Sequence, residues 1–301
     1  MYNRIMFNSQ KSFARFINKI KPFGAHCGVC IIDTDTGERL NFNENKFIYP
    51  ASTYKIFIGA EVMRQVEISK LKLSQKIKIK APNTIDKESR FYYVDYKFPT
   101  LTVDDEWTID DLLKVMLGRS DNMASNVLID VVGRENISKN IINKNCWFGS
   151  DVTRKFLNRI YENKKYKYAD ISVTCVKHLA EFIQKLDNNE LAGATQLREY
   201  MTPGKFVPES EKVGRRAPKY HLTNIQYRKS GFIEILTGGG IVGFLRKIRN
   251  RGIIRYQSEA ALIKIGTHRY AVGIVSQYRT WHKNKYFEFS EISELLKNKN
   301  S

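Results

Sequence analysis

Strand-type segments stand at both ends of this chain, and a long helix-type stretch separates them. Near the N-terminus, Ala25 to Thr34 and Glu38 to Phe42 flank Asp35-Thr36-Gly37, whose glycine suits a tight turn between two β-rich runs. Beyond Tyr227, β-type runs return at Phe232 to Leu236, Ala260 to Ile265 and Tyr270 to Gln277. A lone hairpin is marginal in water, so strands this far apart in sequence must meet in one sheet. The stretch from Ser52 to about Asp187 reads as helical instead. It holds Thr53 to Glu67, Thr108 to Leu117 with Thr108 and Asp111 at capping-box spacing, and Asn122 to Val132 closed by Gly133. Residues 9–20 place Phe13, Phe16, Ile17 and Ile20 on one helical stripe, and Ser290 to Lys297 form a closing amphipathic helix. The expected class is α+β, an α/β sandwich: an antiparallel five-stranded sheet drawn from both chain ends, flanked by terminal helices, with an inserted all-helical lobe. No linker marks a linear boundary, so one domain is expected over 1–301, with a sheet lobe at about 9–48 and 220–301 and a helical lobe at about 49–219.

Composition excludes several function classes. The 301 residues are 42% hydrophobic, enough for a large core. No run approaches the roughly 18 apolar residues of a membrane helix, so the chain is not expected to span a bilayer. Met1 to Phe7 carry a positive charge with no apolar region behind it, so no secretory signal is visible, and the chain reads as cytosolic or trimmed. Four cysteines are too few for a disulfide framework. Cys27 and Cys30 fall in a strand-type run where positions three apart face opposite ways, which favours core thiols over a redox or zinc half-site. The five histidines lack ligand spacing, so neither metal nor cofactor is expected. The net charge of +19 attracts polyanions such as nucleic acid, teichoic acid or acidic lipid. Its lysines and arginines are scattered and no nucleic-acid motif accompanies them, which suits solvated faces better than a specific nucleic-acid partner.

Three short elements carry chemistry. In Tyr49-Pro50-Ala51-Ser52-Thr53-Tyr54-Lys55, Pro50 marks a helix start, which puts Ser52 in the first turn and Lys55 on the same face one turn on. A serine hydroxyl needs a neighbouring base to become a nucleophile, and a desolvated lysine can serve. The helix start adds backbone N–H groups where an oxyanion would form. Ser69-Lys70-Leu71-Lys72 repeats the Ser-x-x-Lys pattern without a preceding proline or a following apolar run. Ser120-Asp121-Asn122 precedes the helix from Asn122, where a cap and a cleft-facing hydroxyl are compatible readings. Lys229-Ser230-Gly231 leads into a strand, with a fixed positive charge and a glycine that lets a ligand or backbone approach.

In this order and spacing the set resembles the Ser-x-x-Lys, Ser-Asp-Asn and Lys-(Ser/Thr)-Gly motifs of class A β-lactamases and penicillin-binding proteins. The likeness runs from about Ala25 to Gln277 and takes in Tyr49-Pro50-Ala51, Asn126 to Ile129 and Tyr270 to Val275. It implies that Ser52 forms an acyl-enzyme, that Lys55 takes its proton and that Ser120 relays that proton to the leaving nitrogen. It further implies that Asn122 holds the substrate amide, that Lys229 and Ser230 bind its carboxylate, and that the N–H groups of Ser52 and Phe232, beside Gly231, form the oxyanion hole. The implied partners are β-lactams or D-Ala-D-Ala-type peptides, acted on by a monomer, in the periplasm or outside the cell.

One part departs from the family. Class A enzymes use a glutamate on an Ω-shaped loop to activate water, and the matching positions here are Arg159 or Phe156. Arg154 and Asp170 suit the ion pair that closes such a loop, and Glu162 is the acid within it. If Glu162 reaches the water, the chain is a β-lactamase. If it does not, deacylation is slow and the chain behaves as a penicillin-binding protein. A non-catalytic member of the fold is a third reading, disfavoured by four intact motif side chains. Tyr92, Tyr93 and Tyr96 read as loop packing or a cleft wall, and Gly238-Gly239-Gly240 as a turn.

Overall fold

The N-terminal hairpin forms where its turn residues place it, in a computed structural model that describes residues 11, 13–18, 26–80, 101, 104–153, 172–206, 221–236, 253–280 and 288–297. Strand β1 (His26–Asp33) pairs antiparallel with β2 (Arg39–Phe42). The Asp33 carboxylate accepts the N–H groups of Asp35 and Thr36 at 3.1 Å each, which bends the chain back, and Gly37 supplies the left-handed φ of +75°. The later strands are β3 (Lys76–Lys78), β4 (Glu106–Thr108), β5 (Ile225–Leu236), β6 (Ile253–Ile265) and β7 (His268–Thr280). The main helices are α1 (residues 13–18), α2 (Lys55–Glu67), α3 (Ile109–Lys114), α4 (Asn122–Val132), α5 (Val176–Asp187), α6 (Ala194–Tyr200) and α7 (Ser290–Lys297).

Five strands join in the order β2-β1-β7-β6-β5, each pair antiparallel, and β1 runs along β7 so that the two chain ends share one sheet. The α+β sheet expected from sequence is thus formed. Its strands are longer than the apolar runs: Lys229-Ser230-Gly231 lies inside β5 rather than ahead of it. On one face, Phe13, Phe16 and Ile17 of α1 and Ile292, Leu295 and Leu296 of α7 join Val29, Ile31, Ile263, Val272 and Ile274 in one apolar cluster. On the other face α5 packs against β7, β1 and β6. Its backbone presses so close that a Cβ on Gly273 would stand 2.3 Å from the Val176 carbonyl oxygen and 2.9 Å from Ala180 N. With both faces covered, Cys27 and Cys30 are buried and free, and burial pushes both thiols up to about 12.

Two compact units result. The sheet unit also includes Thr174–Asn188, so α5 belongs with the sheet although it reads as part of the helical middle. Periodicity reveals its apolar stripe of Val176, Leu179, Phe182, Ile183 and Leu186 but not the surface that the stripe meets. The second unit holds α2, α3, α4 and α6 together with a two-stranded sheet of β3 and β4, whose alternating lysines gave no sign of a strand. Here Thr108 caps α3 by accepting the Asp111 N–H at 3.1 Å, and Gly133 ends α4 at φ +83°. Helix α2 is buried almost throughout and packs on α4, with Phe57 set 5.6 Å from the Trp147 ring. Among the described residues no helix is long and apolar enough to cross a membrane.

Candidate active site

Pro50 opens a helical start, as its fixed φ favours, but the first turn is a tight 3-10 turn over Ala51–Tyr54 that continues into α2 at Lys55. The Thr53 N–H donates to the Pro50 carbonyl at 3.1 Å, closing that turn around Ser52, which is 5% exposed. Ala51, immediately before Ser52, adopts φ +48° and is fully buried. A residue with a Cβ holds that left-handed conformation only where its surroundings impose it. The second Ser-x-x-Lys copy differs in kind: Ser69 follows the end of α2, where no helix begins, and Lys70 and Lys72 are exposed.

Gly231 of β5 meets this turn within the sheet unit. A Cβ built there would lie 2.4 Å from the Ser52 backbone nitrogen, 2.6 Å from Ser258 Oγ and 2.9 Å from the Ala51 Cβ. The close approach expected at this glycine is therefore made by the backbone of the Ser52 turn itself. Strand alternation sets Lys229 and Gly231 on the face of Ala260 and Ser258, their partners in β6, and Ser230 and Phe232 on the opposite face. Lys229 is buried, and β5 is the edge of the five-stranded sheet among the described residues. Alternate backbone groups of such an edge point away from β6, toward whatever lies alongside.

In the second unit Lys55 gathers the Ser-Asp-Asn element. Its Nζ donates to the Ser120 carbonyl at 2.6 Å, to Asn122 Oδ1 at 2.8 Å and to the Asp121 carbonyl at 3.0 Å, and lies 3.4 Å from Ser120 Oγ. Lys55 is 0% exposed, so these oxygens replace the water that the amine gives up. Ser120 reaches it by adopting φ +69° after a wide helical turn over Val115–Arg119, an irregularity of the kind found at functional sites. Asp121 is the cap of α4, accepting the Ala124 N–H at 2.7 Å, which leaves Ser120 and Asn122 as the side chains of the tripeptide that face the lysine. The capping reading of this tripeptide holds, and it falls on Asp121. Sequence reasoning did not find that Asn122 is a lysine ligand, and its two-residue offset from Ser120 carries no sign of it.

The structure thus brings Lys55, Ser120 and Asn122 together in one unit and the Ser52 turn and Gly231 together in the other, with Ser52 and Lys55 one turn of continuous chain apart. Glu162, Arg154, Phe156, Arg159 and Asp170 lie outside the described residues, as do Tyr92, Tyr93, Tyr96 and Gly238-Gly239-Gly240. The two ends of the segment carrying Glu162 are described and are pinned to each other. Asp151 and Val173 exchange backbone hydrogen bonds of 2.9 and 3.0 Å, and the Thr153 N–H donates to Ser172 Oγ at 2.9 Å. Arg134 anchors this neck through Asp151 Oδ2 at 2.6 Å. Among the described residues no cluster of three or more histidine, cysteine or acidic side chains is placed to hold a metal.

Residues 10–298 match the family model described as the β-lactamase enzyme family. Among curated proteins the chain is similar to β-lactamase SME-1 of Serratia marcescens, 27% identical over 124 residues that cover 41% of this chain and 40% of that one. The match thus spans about two fifths of that relative's length. Among solved structures it is similar to a β-lactamase from Chitinophaga pinensis, with a TM-score of 0.67 at 14% identity, covering 98% of this chain and 100% of that one. It is similar as well to a PBP-A mutant captured as an acyl-enzyme complex with penicillin-G, with a TM-score of 0.66 at 15% identity, covering 97% and 96%. At such identities the structural likeness speaks for the fold.

Proposed function

The chain belongs to the β-lactamase enzyme family, and on that premise we propose that it hydrolyses β-lactams through an acyl-enzyme on Ser52. The observation that carries the reading is the Lys55 Nζ, buried and held against Ser120 and Asn122 one helical turn beyond Ser52. In this mechanism Lys55 first gives up a proton, and with it one of its three donated hydrogen bonds, and the amine so formed takes the Ser52 proton while Oγ attacks the lactam carbonyl. Backbone N–H groups of Ser52 and Phe232 stabilise the oxyanion. The lactam C–N bond breaks as Ser120 passes a proton to the departing nitrogen and is reprotonated from Lys55. Lys229 and Ser230, on opposite faces of the β5 edge, flank the substrate carboxylate, and Asn122 receives the amide side chain.

Water must then release the acyl group. Glu162 is the acid proposed to activate it, carried on the segment whose ends Thr153 and Ser172 hold together. A second reading has one specific support, the absence of an acid at Phe156 and Arg159. In that case the adduct persists and the chain acts as a penicillin-binding protein toward D-Ala-D-Ala-type peptides. By the same resemblance, its place of work is the periplasm or the cell exterior.

Ultraviolet loss of benzylpenicillin and of a cephalosporin under steady-state conditions tests the proposal. Many turnovers per enzyme are expected, falling by ~10³-fold or more in Ser52→Ala. Consumption that stops at one equivalent selects the penicillin-binding reading, and consumption of neither drug by folded protein removes both.

A further inference from the structure

The carbonyl oxygen of Pro50 is held by three donors. The Thr53 N–H reaches it at 3.1 Å, Thr53 Oγ1 at 2.8 Å and Ser258 Oγ at 2.5 Å. The first two belong to the turn itself. The third comes from β6, some two hundred residues on in the chain, and is the one donor of the three that ties the turn to the sheet. Ser258 is 2% exposed and also lies 3.5 Å from the Gly231 carbonyl, so its hydroxyl sits where β5, β6 and the Ser52 turn meet. A Cβ on Gly231 would stand 2.6 Å from that hydroxyl, so the space between strand and turn is just what one serine fills.

What this hydroxyl restrains is the Pro50–Ala51 peptide. That peptide leads into Ala51, held at φ +48°, and Ser52 is the next residue. A left-handed alanine relaxes to a right-handed or extended conformation when its neighbours allow, and a rotation at Ala51 swings the residue after it. We propose that Ser258 is a positioning residue for the nucleophile, fixing the orientation of the Pro50 carbonyl so that Ala51 stays left-handed and Ser52 is presented for attack. The proposal rests on the reading of Ser52 as the nucleophile. It adds a residue from a strand that carries none of the three motifs. Ser258 touches no reacting atom, and the Lys55 contacts to Ser120 and Asn122 are made without it.

The role predicts a specific kinetic signature. A displaced Ser52 binds drug as before and acylates slowly, because misplacing a reacting atom by about 1 Å costs roughly a hundredfold in rate. The experiment is stopped-flow acylation by benzylpenicillin over a concentration series and over pH, on wild type, Ser258→Ala and Ser258→Thr. For Ser258→Ala the limiting acylation rate is expected to fall ten- to hundredfold, with a drug dissociation constant within about threefold of wild type and an unshifted pH profile. Ser258→Thr keeps the hydroxyl and is expected to recover most of the rate, and it serves as the test variant if Ser258→Ala does not fold, its rate then being expected within tenfold of wild type. Acylation of folded Ser258→Ala at the wild-type rate, or a loss confined to the dissociation constant, overturns the positioning role while leaving Ser52 as nucleophile. Absence in wild type of both a Ser52 adduct and any drug consumption overturns the underlying reading instead.

Discussion

Gly231→Ala is the substitution whose effect the structure specifies most narrowly. The added methyl would stand 2.4 Å from the Ser52 nitrogen, 2.6 Å from Ser258 Oγ and 2.9 Å from the Ala51 Cβ, and none of these is the loose end of a flexible side chain. Bringing the tightest of them out to about 3.0 Å, the least that real packing tolerates, needs a shift of about 0.6 Å between β5 and the backbone of the Ser52 turn. Overpacking of this kind costs about 1 to 3 kcal/mol. At roughly 2 to 4 °C per kcal/mol for a chain of this order, Tm falls by about 2 to 12 °C. The effect on chemistry is larger than the effect on stability, since a displacement approaching 1 Å at a reacting group costs roughly a hundredfold. Differential scanning fluorimetry and stopped-flow acylation by a chromogenic cephalosporin measure the two side by side. A folded Gly231→Ala protein that acylates within threefold of wild type would refute the claim that this glycine makes room for the Ser52 turn.

Other substitutions test the remaining parts. Gly273→Ala places a methyl 2.3 Å from the Val176 carbonyl, so it should lower Tm by more than Gly231→Ala while the acylation rate of the folded fraction stays unchanged. Asp121→Ala removes the α4 cap and should cost about 0.5 to 2 kcal/mol in urea unfolding. Of the four thiols only Cys146 is exposed, while burial raises Cys27, Cys30 and Cys175. One equivalent of iodoacetamide should therefore react in the native state near pH 8, with the other three sites opening only in denaturant. For Asp110, burial alone favours the protonated carboxyl, but the Lys114 ammonium at 2.5 Å and the Tyr200 hydroxyl outweigh it and hold the group below the usual carboxylate range. Its stabilisation is complete above the unfolded value of about 4 and is lost as pH falls through the lower folded value, so Asp110→Asn should flatten the acid side of a stability-against-pH series.

How much of this was legible beforehand depended on whether a residue's role was local. The hairpin, the Thr108 cap, the Gly133 stop and the closing helix Ser290–Lys297 follow from neighbours in sequence, and all were readable. The first half of β6 was not, because Arg255, Gln257 and Glu259 break the apolar pattern although all three are buried. They are tolerated there through partners that no local window contains. Glu259 takes the Leu222 N–H at 2.8 Å, Arg228 at 3.0 Å and His221 at 3.3 Å, and Gln257 faces the Tyr278 hydroxyl at 3.4 Å. The site divides the same way. Ser52, Lys55, Ser120 and Lys229 announce themselves through motifs, whereas the left-handed Ala51, the Asn122 contact to Lys55 and the Ser258 hydroxyl depend on how distant segments pack.

The central claim is covalent chemistry at one hydroxyl, and intact-mass spectrometry after mixing with benzylpenicillin addresses it directly. The account predicts a mass increase of one drug molecule, mapped to the peptide containing Ser52, absent in Ser52→Ala and prolonged in Glu162→Gln. A folded wild-type protein that neither gains mass nor consumes the drug, or an adduct that survives Ser52→Ala, would contradict it.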